Sequence, residues 1–178
     1  MDPFEIRECL DTFSILADRR EQNTSRARER FQALGDPARV TLDYGDYCGQ
    51  ITLPDGRALY DTSARIFPAC VVERKMSLDE LAANFTRSRA RFKAEFERAT
   101  AHGAKVFLLV EGASWEAIEN HRYRSKYNPV AFRASLLAWS IRYNMTPIFC
   151  KAGSSGKLIR DVLYREIKER LENGVLQS

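Results

Sequence analysis

The stretch AKVFLLVEG (104–112) does most to limit the fold. It is a short apolar run with a glycine before it and another at its end, which reads as a buried strand. Such a strand needs neighbours, and the chain supplies them. FSILAD (13–18), ACVVERK (69–75) and TPIFCK (146–151) are further apolar runs of strand length. ARVTLDYGDYCGQITL (38–53) alternates apolar and polar residues, with Gly45 as a bend. Pro54-Asp55-Gly56 predicts a hairpin between two strand-like pieces over 53–61.

Helical segments lie between these strands. SRARERFQALG (25–35) stops at Gly35, and the last helix, over 153–174, stops at Gly174. Ser77 with Glu80 forms a capping box, which predicts one helix from there to about Ala101, with Leu81, Phe85, Phe92 and Phe96 near one face. Ser114 caps a short helix carrying Trp115 and Ile118. Asn128-Pro129 opens another, carrying Phe132, Leu136, Leu137 and Ile141. Hairpins mixed with strand–helix–strand units predict an α/β fold, a mixed central sheet with helices on both faces. No repeat or linker divides the chain, so 1–178 reads as one domain with its core at about 13–173 and frayed termini.

Composition excludes several classes. Hydrophobic residues make up 44% and charged residues 29% of the 178, an ordinary globular balance. No apolar run approaches the roughly 20 residues that span a bilayer, so no membrane partner is expected. MDPFEIRECL is not a signal peptide. The four cysteines are scattered, which suits buried thiols in a reducing cytoplasm. The two histidines offer no zinc spacing. A net charge of +4 permits a nucleic-acid partner without requiring one.

Charged groups end three of the predicted strands. Asp18-Arg19-Arg20-Glu21 follows FSILA, Asp46 stands in LDYGDY, and Glu73-Arg74-Lys75 follows two valines. If these strands are neighbours, their ends converge. Asp46 and Glu73 are then hard-oxygen ligands suited to Mg2+ or Mn2+. Lys75, two residues from Glu73, shares its face of the strand, where an ammonium can neutralise charge developing on a phosphodiester. Arg74 points the other way, toward a carboxylate.

The three motifs in this order resemble the XPF-type nuclease domain, a branch of the restriction-endonuclease-like PD-(D/E)XK superfamily. The residues that carry the resemblance are Asp18-Arg19-Arg20-Glu21, Gly45-Asp46-Tyr47, and Glu73-Arg74-Lys75 with Asp79 four residues on. It extends over about 13–170, through RSRARFKAEFERA and VFLLVEG. It implies a restriction-endonuclease-like sheet and a Mg2+- or Mn2+-dependent DNA endonuclease, selective for branched or single-strand/double-strand junctions. Asp46 and Glu73 would hold the metal, Lys75 would be the catalytic lysine, and Asp18, Arg20, Glu21, Arg74 and Asp79 would support the site. The chain departs from the pattern in the long stretch between Asp46 and Glu73, where Asp61 is a spare carboxylate. It departs also in having no helix-hairpin-helix domain after the nuclease motifs, as in stand-alone bacterial or phage versions; in a bacterium it would work at the nucleoid. A homodimer is expected on the same ground.

Blander readings stand beside these. Asp18 and Glu21 fit a cap or an ion pair equally well, and Asp79 fits the favourable end of a helix dipole. Glu111 reads as a strand-end charge outside the core site. Arg87, Arg89 and Arg91 face DNA phosphates or belong to a mixed-charge surface. HRYRSKYN (121–128) interleaves Arg124 and Lys126 with Tyr123 and Tyr127, a composition for binding a single strand, although the tyrosines serve equally as anchors. GSSGK (153–157) lacks the spacer of a nucleotide-binding loop, though the start of the helix it opens could meet a DNA phosphate. The alternatives to a DNA nuclease are a non-catalytic DNA-binding scaffold of the same fold and a nuclease for RNA or unbranched DNA.

Overall fold

The computed structural model describes residues 1–21 and 25–175. Seven strands form one sheet: β1 (Ser14–Asp18), β2 (Ala38–Leu42), β3 (Tyr47–Gln50), β4 (Arg65–Ile66), β5 (Cys70–Lys75), β6 (Lys105–Glu111) and β7 (Met145–Cys150), in the order β4-β2-β1-β3-β5-β6-β7. β3 runs antiparallel to β1 and β5, and the other pairings are parallel. The carboxyl ends of β1, β5 and β6 therefore meet the amino end of β3 along one edge. The expected mixed sheet is present, and its order makes the three charged strand ends neighbours.

Strand alternation sorts the core onto two faces. Val71 of β5 and Val106, Leu108 and Val110 of β6 pack under α3 (Leu78–Phe85), α4 (Arg89–Ala101), α5 (Trp115–Glu119) and α6 (Pro129–Arg142). Cys70, Val72 and Leu109 pack on the opposite face with α1 (Pro3–Asp11), α2 (Ser25–Leu34) and α7 (Ser155–Glu172). Helices thus cover both faces.

Several elements differ from expectation. The helix over 77–101 is two helices, broken at Thr86–Ser88. Thr86 Oγ1 donates to the Ala82 carbonyl at 2.7 Å, and the Ser88 amide reaches Ala83 at 3.0 Å. In a straight helix, residues seven apart stand about 10 Å apart along the axis. The break brings the Phe85 and Phe92 rings to 5.8 Å and sets them 4.9 and 5.1 Å from Trp139. Aromatic packing here overrides helical continuity. The hairpin is reduced to a tight turn, Gly56 N to Leu53 O at 2.9 Å, closed by one bridge between Thr52 and Ala58. Asp61 is exposed and accepts from Ser63, far from any role as a ligand. In α6, Leu137 and Ile141 are exposed, and Trp139 joins Phe132 and Leu136 in the core instead.

The amino terminus, read from sequence as frayed, forms α1. Asp2 accepts from Phe4 and Glu5, the Glu5 side chain accepts from the Asp2 amide, and Pro3 opens the first turn. Cys9 is the buried residue of α1, and Cys48 and Cys70 are buried elsewhere. At the start of α7, a Cβ on Gly156 would come 2.8 Å from Ala33 Cβ. That glycine lets α7 close on α2.

Candidate active site

The site begins at a glycine. Gly45 has φ +73°, and a Cβ there would lie 2.6 Å from Val71 Cβ. Only glycine passes this turn, which swings Asp46 against β5. The Asp46 amide donates to Val72 O at 2.9 Å and its Oδ2 accepts from the Arg74 amide at 2.7 Å. The carboxylate thus stands in for a strand carbonyl and is fixed against β5, in the middle of the sheet.

Glu73 and Lys75 continue the Val71 face of β5, as their spacing requires. Lys75 Nζ donates to Glu73 Oε1 at 2.5 Å. Both are buried, and Glu73 Oε2 has no hydrogen-bond partner among the described residues. Burial, and then the Glu73 charge, push the Asp46 carboxyl well above its usual range. Burial lifts Glu73 to about 7 against the pull of Lys75. Burial would lower Lys75, but Glu73 and Asp46 outweigh it and keep the ammonium charged. Asp46, Glu73 and Lys75 line a cavity of about 420 Å³ with Arg20, Glu21, Arg74 and Arg91.

Arg74 faces the other side of the sheet. Its Nε and Nη2 form a fork on Glu111 at 2.8 and 2.9 Å. Buried Arg30 of α2 lies 3.7 Å from Glu111, donates to Tyr47 at 2.8 Å and pairs with Glu21 at 3.0 Å. Burial pushes Glu111 up, but hydrogen bonds from Arg74 and Ser155, and then the charges of Arg74 and Arg30, hold it below its usual range. This network ties β5, β6 and α2 together behind the carboxylates.

Asp18 does not line the cavity. Its Oδ2 accepts from the Leu42 amide at 2.9 Å, and its Oδ1 accepts from Arg20 Nε at 2.6 Å. It joins β1 to β2 and aims Arg20, whose largely exposed guanidinium reaches the cavity rim. Asp79 lies elsewhere. It accepts from the amides of Arg124 and Ser125 at 2.8 and 2.7 Å and fastens that loop. Both residues support neighbouring backbone rather than the cavity.

Two carboxylates, one with a buried and unpartnered oxygen, are a donor set that fits a hard divalent cation. No three acidic, cysteine or histidine side chains gather closely enough among the described residues to hold an ion alone. The shell that Mg2+ prefers, with few carboxylates and several waters, accords with that.

A family model described as the ERCC4 domain matches residues 17–159. The chain belongs to the ERCC4-domain family. Two solved structures share the fold: XPF from Aeropyrum pernix, at 20% identity and TM-score 0.60, covering 90% of this chain and 68% of that one, and XPF from Aeropyrum pernix in complex with DNA, at 21% identity and TM-score 0.58, covering 88% of this chain and 65% of that one. The chain thus spans just under two thirds of the DNA-bound one. No curated protein matches the sequence.

A second hollow of this ERCC4-domain chain adjoins the first. It holds about 800 Å³ between α3 and the loop after α5, lined by Asp79, Arg87, Arg124, Lys126 and Tyr127 among others. Tyr123 does not face it as a stacking platform. Its hydroxyl donates to Tyr127 O at 2.7 Å, and its ring meets Phe132 edge-on. Tyr127 donates to Ala131 O and also packs on Phe132. Both tyrosines anchor the loop, the alternative that the sequence left open. Arg89 faces neither hollow: it donates to Phe85 O and lies over Trp139.

Sequence reasoning missed Arg30, Glu80, Asn84 and Glu95. Glu95 Oε1 accepts from the Gly45 amide at 3.1 Å, and Glu80 and Asn84, one helical turn apart, face the carboxylates. Glu111 carries a signal, a charge ending an apolar strand, and it lies outside the cavity, as that reading has it. Arg30 carries none, since it is one of several charges in the first half of its helix.

Proposed function

We propose that the chain is a Mg2+- or Mn2+-dependent endonuclease that hydrolyses DNA phosphodiesters, selective for branched or single-strand/double-strand junctions. The observation that carries the reading is Glu73, buried, with Lys75 on one oxygen and no partner on the other, beside Asp46. Membership of the ERCC4-domain family and the DNA in one of the similar XPF structures support DNA as the ligand.

Asp46 and Glu73 would hold the cation. When bound there, it supplies Lewis-acid polarisation of the phosphodiester and lowers the pKa of water. The chain's own groups do the rest. Lys75, an ammonium shielded from solvent, neutralises charge that builds on the phosphorus oxygens. Arg20 and Arg91, exposed at the rim, grip the phosphate being cut. Arg87, Arg124 and Lys126 take flanking phosphates in the adjoining hollow. Arg74 keeps β5 in register with β6 and does not touch DNA.

The test is a cleavage panel in Mg2+ and in Mn2+ over flap, fork, four-way junction, duplex and single-stranded substrates. The wild type should cut junctions best. Glu73→Ala and Lys75→Ala should each lose cleavage, by at least a hundredfold, with DNA binding kept. Either variant cutting like the wild type would sink the assignment, and a wild type that binds every substrate but cuts none is a scaffold.

A further inference from the structure

Four buried side-chain polar atoms lack a hydrogen-bond partner among the described residues: Glu73 Oε2, Asn84 Oδ1, Trp139 Nε1 and Tyr143 Oη. Trp139 and Tyr143 stand in the aromatic core. Glu73 and Asn84 line the same cavity. An orphaned buried acceptor costs about 1–3 kcal/mol, so two beside one cavity point to a ligand. Both are acceptors. What satisfies them must bring positive charge or hydrogen.

Of the cations on the cavity wall, Arg20 and Arg91 are exposed at the rim, and Arg30, Arg74 and Lys75 are held by carboxylates. Lys75 donates to Glu73 Oε1 and reaches Glu80 only at 3.9 Å, and Arg74 is forked on Glu111. Neither supplies a donor to Asn84. A divalent cation that keeps its waters supplies both needs at once: the ion for a carboxylate oxygen and a water hydrogen for an amide oxygen.

We propose, on the nuclease reading above, that Asn84 is a positioning residue whose Oδ1 accepts a hydrogen bond from a water of the hydrated cation held at Asp46 and Glu73. Helix α3 is built for this. Glu80 and Asn84, four residues apart, present one face of the helix to the carboxylates, while Asp79 and Ala83 line the adjoining hollow. The side chain acts on the ion through water, and so sets where that water stands relative to the phosphodiester. An amide is suited to the task because it orders water without adding a charge to a cavity already lined by Glu21, Asp46, Glu73, Glu80 and Glu95.

The test is calorimetric titration of Mn2+ into the wild type, Asn84→Ala and Asn84→Asp, with no nucleic acid present. Removing such an outer partner should weaken Mn2+ binding about tenfold or more, and aspartate should restore it. Thermal melting without metal should not fall in Asn84→Ala, since only an unpaired acceptor is lost, and its DNA affinity without metal should be unchanged. Asn84→Ala binding Mn2+ as the wild type does overturns the proposal and leaves the nuclease reading intact. A fall in the metal-free melting temperature of Asn84→Ala makes the residue structural and overturns it also. A wild type that takes up no Mn2+ overturns both readings.

Discussion

Glu111 shows how one side chain can matter without touching a substrate. It is 3% exposed and faces two arginines, Arg74 in a fork at 2.8 and 2.9 Å and Arg30 at 3.7 Å. Removing one member of a buried pair strands the other charges, at about 3–5 kcal/mol. Glu111→Gln is therefore expected to lose roughly 3 kcal/mol in urea denaturation at pH 7. The pH dependence follows from the direction of its shift. The carboxyl is held below its ordinary value in the folded state, so the unfolded chain binds the proton more readily. The stabilisation is complete above about pH 5 and is lost as pH falls through the folded pKa. The gap between wild type and Glu111→Gln should narrow steadily below about pH 4 in the same assay. A constant gap down to pH 3 would show that the charge contributes nothing. The residue was visible in VFLLVEG, but the two arginines that give it meaning were not. Arg74 is 37 residues away and its facing was legible from the strand alternation; Arg30, on a helix with Arg26, Arg28 and Glu29 close by in sequence, was not.

At the scale of the element, α3 is a partition. One face serves the carboxylate cavity and the other, through Asp79, holds the loop that carries Arg124, Ser125 and Lys126. A hydrogen bond to a charged group contributes about 1.5–3 kcal/mol. Asp79→Ala is expected to speed amide exchange at Arg124 and Ser125 at least tenfold, with exchange in β5 unaltered. Equal exchange in the two proteins would mean that Tyr123 and Tyr127 anchor the loop unaided. The existence of α3 was plain from Ser77 and Glu80. Its end was not, because the break at Thr86–Ser88 answers to Trp139, more than fifty residues on. Helix α1 is the reverse case: its start was written in Asp2-Pro3 and Glu5, a local signal passed over because it stood at the chain end.

Across the whole molecule, net charge is only +4, so affinity for DNA rests on where the cations lie rather than on how many there are. Arg87, Arg124 and Lys126 gather at the hollow beside the cavity. Each phosphate contact releases condensed counterions. Arg124→Ala and Lys126→Ala should each weaken DNA binding to a similar degree across sequences. Each should also lower the slope of log K against log salt by about one, read by fluorescence anisotropy over several salt concentrations. An unchanged slope in both variants would place the DNA elsewhere. The strands β1, β5, β6 and β7, the bend at Gly45, the shared face of Glu73 and Lys75 and the opposite face of Arg74 were set by the sequence alone, since each follows from an apolar run of strand length, a periodicity of two or backbone angles that one residue type permits. The tertiary structure decided which strands are neighbours, that Asp18 and Asp79 hold backbone rather than the cavity, and that Asn84 and Glu95 face it. Those outcomes depend on sheet order and on the angle at which helices cross the sheet, and both are fixed by packing between residues far apart in the chain.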